Sequence, residues 1–173
     1  MQTETSAAPT GQLFEPTSFF EGRTSAWGLF EDRFGRVRRR FRVEMSGRWH
    51  DRAFHLDESF TYDTGDCETR TWRIVPVGKT RFTATCVDCI GTASGECNAD
   101  SIRMAYRFRL KLNAREIAVD LDDRIYWVAD GIAINRTTMR KWGIKLGELS
   151  LFFQRTGEGP VAPGGTLSEK SAA

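Results

Sequence analysis

The stretch Arg36–Met45, RVRRRFRVEM, decides the fold. Val37, Phe41, Val43 and Met45 share one parity, whereas Arg36, Arg38, Arg40, Arg42 and Glu44 share the other. A two-residue repeat puts one set of side chains on a dry face and the other in water, so this is a half-buried β-strand and not a basic helix. Arg39 breaks the pattern by lying on the apolar parity. A guanidinium turned toward a dry face needs an anionic partner, either another side chain or a ligand.

Outward from this segment, the same alternation recurs in Ser25–Glu31, Ala53–Tyr62, Cys67–Val75, Arg81–Asp88, Ile102–Leu112, Glu116–Asp123, Tyr126–Ala129, Ile132–Arg140 and Glu148–Gln154. Turn residues punctuate the runs: Asp32-Arg33-Phe34-Gly35, Ser46-Gly47, Asp63-Thr64-Gly65-Asp66 and Pro76-Val77-Gly78-Lys79. No amphipathic helix exceeds about two turns, although Pro16–Glu21 and Met139–Gly143 could each hold a short one. The fold class is therefore all-β. Short connections make consecutive strands antiparallel neighbours, and one-sided burial favours closure, which removes exposed edges. The expected architecture is a single antiparallel up-and-down barrel of about 8–10 strands, with a flattened sandwich as the alternative. No repeat of about 20–50 residues suggests a propeller or solenoid.

The 173 residues are 40% hydrophobic and 12% aromatic, enough for one core. The barrel is assigned to residues 13–156, and the small, polar, Gly- and Pro-rich composition of residues 1–12 and 157–173 predicts disordered tails. A formal net charge of +2 does not by itself imply a polyanionic partner. The beginning of the chain lacks a basic start followed by an apolar run, so a cytoplasmic location with reduced thiols is expected.

Polar residues on the apolar parity mark the candidate site. They are Arg39, Glu58 between Leu56 and Phe60, Arg70 before Trp72, Asp88 on the parity of Phe82 and Ala84, and Arg136 after Ile132 and Ile134. Three arginines and two carboxylates would converge on the lumen, with Phe60, Trp72, Tyr106, Phe108 and Trp127 lining or closing it. A surplus of arginine could hold a carboxylate or phosphate head while the lining holds an apolar tail. The expected function is binding of an amphipathic small molecule, a fatty acid or related lipid, by a monomer. Three alternatives stand beside it. The charges could form only an internal ion-pair network, Glu58 could be an acid or base acting on a lipid-like or isoprenoid substrate with Arg70 or Arg39 as anion stabiliser, or the chain could be a membrane or protein interaction module.

Other clusters carry less. Asp120, Asp122, Asp123 and Asp130 match no calcium-loop spacing. Asp122 and Asp123 point to opposite faces of a strand, so one is expected in solvent and the other paired to a lumen arginine. Cys86, Cys89, Cys97 and Cys67 lack the histidines that would complete a zinc site, because His50 and His55 read as surface residues. Gly91-x3-Gly95 is read as loop and has no phosphate-cradle context. No metal and no cofactor is expected. Six arginines in Arg33–Arg42, with Arg103, Arg107, Arg109 and Lys111, leave peripheral contact with an anionic membrane open, whereas interleaved acids argue against nucleic acid.

Several segments are similar to a bacterial family of unknown function, many of whose members carry a lipoprotein description. They are Ala26–Phe41, Leu56–Phe60, Arg70-Thr71-Trp72, Asn98-Ala99, Asp122-Asp123, Ile134-Asn135-Arg136, Lys141-Trp142-Gly143 and Gly147-Glu148. The resemblance covers about residues 19–155 and implies a lipocalin-type barrel. The sequence departs from the pattern in Arg124-Ile125, in Cys89 and Cys97, and in lacking a lipidated cysteine near its start.

Overall fold

A computed structural model describes residues 12–112 and 115–157. The tails expected to be disordered fall almost wholly outside the described residues. One short helix, α1 (Pro16–Phe19), precedes ten strands: β1 (Gly22–Asp32), β2 (Val37–His50), β3 (Ala53–Tyr62), β4 (Cys67–Val77), β5 (Arg81–Thr85), β6 (Cys89–Cys97), β7 (Ser101–Leu112), β8 (Arg115–Ala129), β9 (Ile132–Lys141) and β10 (Ile144–Gly157). Each strand pairs antiparallel with its neighbour in sequence, and β1 pairs with β10 to close the barrel. The all-β, up-and-down reading is the observed fold.

Four details differ from the sequence reading. β2 runs through Ser46-Gly47 to His50, and its turn lies at Asp51-Arg52, both at positive φ. The segment around Gly91 and Gly95 is strand β6, not loop. Gly95 faces Phe82 across the β5–β6 pair, and a Cβ there would sit 2.0 Å from the Phe82 ring, so an aromatic neighbour fills the space a side chain would take. Glu116–Asp123 and Tyr126–Ala129 are one strand, β8. Met139–Gly143 is the end of β9 and the following turn, with Trp142 and Gly143 both at positive φ, the geometry a two-residue hairpin requires.

The barrel has a sealed base and a mouth. At the base, the turns after β6 and β8 lie against the segment that carries α1. The Phe14 amide donates to the Asn98 carbonyl at 2.8 Å, and the Phe19 and Phe20 rings pack edge-on against Phe153. Gly47 permits this closure, since a Cβ would lie 2.0 Å from the Phe20 carbonyl oxygen. Above the plug, Phe54, Leu56, Ile74, Phe82 and Ile102 fill the lower lumen, with Met45 and Val43 above them, and all are buried. Each such side chain contributes roughly 1.5–3 kcal/mol. A second apolar cluster of Phe108, Val119, Leu121 and Met139, with Phe30, Leu110, Ile117, Leu146 and Leu149 against it, lies toward the mouth on β1 and β7–β10.

Candidate functional site

Register places the polar residues at mid-height. Met45, Glu58 and Arg70 form one row across β2, β3 and β4, and Val43, Phe60 and Glu68 form the next row toward the mouth. All of these share the inward parity of Phe41, Leu56 and Trp72. The Arg70 side chain is 13% exposed and lies between the Phe60 and Phe108 rings, 5.1 and 4.7 Å from their centroids. Its Nη2 donates to Glu68 Oε1 at 2.9 Å; Glu58 Oε2 is 3.7 Å from Nη1, and Asp88 Oδ2 is 3.9 Å from Nε. Lys111 Nζ approaches Asp88 Oδ1 at 3.5 Å. Burial alone would lower the Arg70 pKa, but Glu58 and Glu68 outweigh it and hold the guanidinium charged.

Deeper polar groups complete the wall. Burial pushes Glu58 up to about 7, against the opposing pull of Arg70 and the Trp72 indole N–H. Asp123 on β8 is buried and pushed up to about 6, although the Thr137 and Tyr106 hydroxyls both support its carboxylate. Burial and the nearby Asp123 raise Tyr106, and burial with Glu68 pushes Tyr62 up to about 12, its hydroxyl donating to Glu68 Oε2 at 3.0 Å. Asn135 Nδ2 donates to Thr137 Oγ1 at 3.1 Å. Arg70 Nε, Asp123 Oδ1 and Asn135 Oδ1 are buried with no protein hydrogen-bond partner. Such atoms normally cost stability unless something else satisfies them.

Arg70, Glu58, Asp88, Phe60, Trp72, Tyr106 and Phe108 are thus brought together as the sequence suggested, with Asp88 reaching in from the turn between β5 and β6. Three expected members are elsewhere. Arg39 has the inward parity but stands at the rim, 49% exposed, over the Tyr62 ring at 4.7 Å and 4.0 Å from Asp66. Arg136 points outward, 64% exposed, toward Glu148 at 4.0 Å. A bulge between Trp127 and Ala129 is the cause: it pairs Trp127 with Ala133 instead of Ile134, so Ala133, Asn135, Thr137 and Met139 face inward and Ile134 and Arg136 face water. Trp127 sits at the base beside α1, where it lines a depression of about 200 Å³ with Phe14 and Phe19.

Sequence reasoning missed Glu68, Tyr62, Asn135 and Thr137. Asn135 and Thr137 alternate with Ala133 and Met139, a weak inward signal hidden by the stronger apolar pair Ile132 and Ile134. Asp122 and Asp123 do point to opposite faces. Asp122 is paired with Arg103 at 2.9 Å on the outer wall, whereas Asp123 lies inside with hydroxyl partners and no arginine in ion-pair distance. The charge balance is therefore reversed: one buried arginine faces four carboxylates, Glu58, Glu68, Asp88 and Asp123.

Among the described residues, no group of three or more His, Cys, Asp or Glu side chains is placed to hold a metal ion. The four cysteines are free thiols, and burial raises Cys86 and Cys97 to about 11. A depression of about 410 Å³ is lined by Ala105, Tyr106, Asp120, Leu121, Asp122 and Arg140. No described helix is long and apolar enough to cross a membrane.

The fold resembles the S-type phycobiliprotein lyase CPES from Guillardia theta, with a TM-score of 0.58, 6% sequence identity, and coverage of 83% of this chain and 92% of that one. At this identity the likeness concerns the barrel alone. Comparison with curated proteins gives no match. The sequence matches a protein family over residues 2–155, which takes in every inward-facing residue of the site, and the chain belongs to that family, described as "Protein of unknown function (DUF3833)".

Proposed function

We propose that the upper lumen binds one amphipathic small molecule whose polar end is neutral or cationic. The observation that carries this reading is the unsealed polar row at mid-height: Glu58 and Arg70 keep 15% and 13% of their side-chain surface accessible, beside buried polar atoms without protein partners. Leu121 and Met139 belong to the apolar cluster toward the mouth, with Leu149 against it, whereas Trp72 belongs to the larger core cluster, with Phe60 and Tyr106 against it. Enclosed, mostly apolar surfaces with a few placed polar groups suit small molecules. A barrel of this kind also carries the phycobiliprotein lyase named above. The free fatty acid expected from the sequence is a poorer fit than a neutral or cationic lipid, because Arg70 is already surrounded by acids and a further carboxylate would be repelled.

Native mass spectrometry of protein purified under mild conditions tests the reading. An adduct of small-molecule mass is expected, lost in Leu149→Trp, which fills the junction of the two apolar clusters. Thermal shift with decylamine, decanol and decanoate at neutral pH should rank decanoate last. Absence of any adduct or shift, or preference for decanoate, overturns the proposal.

A catalytic reading is favoured by one observation: Glu58 and Asp123 are held at about 7 and about 6 in the same lumen, where a proton can be given or taken near neutral pH. Glu58→Gln and Asp123→Asn should then abolish conversion of the bound molecule while leaving the adduct in place. Conversion by both variants at the native rate excludes it.

A further inference from the structure

The mouth of the barrel has two neighbouring tips of unusual composition. Because β1 pairs with β10, the β1–β2 turn and the β9–β10 turn lie side by side, and the Arg33 amide donates to the Leu146 carbonyl at 2.9 Å, tying one to the other. Each tip presents a large apolar ring to solvent: Phe34 is 70% exposed and Trp142 84% exposed, with Ile144 exposed beside it. Each ring is backed by a cation from its own turn, Arg33 at 4.7 Å from the Phe34 centroid and Lys141 at 4.7 Å from that of Trp142.

The surrounding charge is predominantly positive, although Glu148 pairs with Lys145 at 3.0 Å. Residues 32–40 and 140–145 hold eight arginines and lysines against a single carboxylate, Asp32, which is itself bonded to Arg38 at 2.7 Å. The formal net charge of the whole chain is only +2, so the excess is concentrated here. Asp63 and Asp66 of the β3–β4 turn border the patch and mark its edge.

We propose that this cationic, aromatic lip docks the barrel mouth on an anionic lipid bilayer. Protruding Trp and Phe rings suit the interfacial zone of a bilayer, where an apolar face and a polar edge are both satisfied, and clustered Arg and Lys are attracted by anionic headgroups. The rings lie on convex turn tips, which penetrate a soft headgroup layer but offer little flat area to a folded protein partner. A nucleic acid would use the charges and leave Ile144 and Phe34 without a role. The inference goes beyond ligand binding and does not depend on it, because vesicle binding is measured without any occupant of the lumen.

Flotation of the full chain with phosphatidylcholine vesicles, with and without phosphatidylserine, tests this. Binding is expected only with phosphatidylserine, weakening as salt rises. The double variant Phe34→Ala with Trp142→Ala, at positions too exposed to affect folding, should reduce partition by about tenfold or more. Arg73→Ala with Arg81→Ala, exposed beside the β4–β5 turn at the opposite end of the barrel, should leave it unchanged. Equal binding to both vesicle types, no binding at low salt, or full retention of binding by the double variant overturns the proposal. Heparin competition that is equally strong for native protein and double variant, with vesicle binding unaffected by the loss of the rings, would instead identify a general polyanion surface.

Discussion

Glu58 and Arg70 stand directly opposite each other in the β3–β4 register, yet their charged atoms are 3.7 Å apart, while Glu68 takes the hydrogen bond from the same guanidinium at 2.9 Å. Arg70 is thus shared, and the deeper carboxylate receives the smaller portion. Desolvation then outweighs attraction at Glu58, whose pKa rises to about 7. A buried acid with incomplete compensation makes stability depend on pH.

The direction of that dependence follows from linkage. The folded protein holds the Glu58 proton more tightly than an unfolded chain, in which the group titrates near 4.5, so this residue's contribution to stability falls as pH rises from about 4.5 through about 7. Asp123 acts in the same sense between 3.8 and about 6. Urea unfolding at pH 5 and pH 8 should show Glu58→Gln to be relatively stabilising at the higher pH, by at most roughly 3 kcal/mol. An identical pH profile for native and variant protein would show that Glu58 is not perturbed.

Replacing Arg70 by Met removes the one cation that three carboxylates approach. The loss at neutral pH should be about 3–5 kcal/mol, as for other buried charges left unpaired. Acidification to pH 5 should recover part of it in denaturant titrations, because the stranded acids then take up protons. A loss under about 1 kcal/mol would mean that the cluster is effectively solvated.

Closure of the base depends on the bare backbone at Gly47, where a Cβ would meet the Phe20 carbonyl oxygen at 2.0 Å and the Phe54 ring at 2.5 Å. Gly47→Ala should destabilise the protein by roughly 1–3 kcal/mol. Hydrogen exchange should show faster opening around α1 and β2. Unchanged protection of the Phe14, Phe19 and Phe20 amides would contradict the plug.

Burial raises the Cys86 and Cys97 thiols to about 11, so little thiolate is available near neutral pH, whereas Cys67 is exposed. Alkylation by iodoacetamide at pH 7.5, followed by peptide mass spectrometry, should modify Cys67 first and leave Cys86 and Cys97 much slower. Fastest labelling at Cys86 would contradict this.

Much of the site was legible because burial and parity agree on β3, β4 and β7. Leu56, Glu58 and Phe60, then Arg70 and Trp72, then Tyr106 and Phe108, alternate with outward polar residues, and no bulge intervenes in their pairing across β3 and β4. Arg39 shows the limit of that rule. Its face was readable, but its height was not, because height depends on how far β2 rises past its neighbours. Arg136 shows a second limit, since one bulged residue between Trp127 and Ala129 inverted every later position on β9.

The residue order by itself determined the all-β class, the antiparallel meander and the inward face of most strands, since two-residue periodicity and turn chemistry are local properties of the chain. Only the tertiary structure decided the register that closes β1 on β10, the plug under the barrel and the sharing of Arg70 among three acids. These depend on register and on distances between residues far apart in sequence, and the balance of desolvation against attraction that sets the charge in the lumen exists only once the walls have come together.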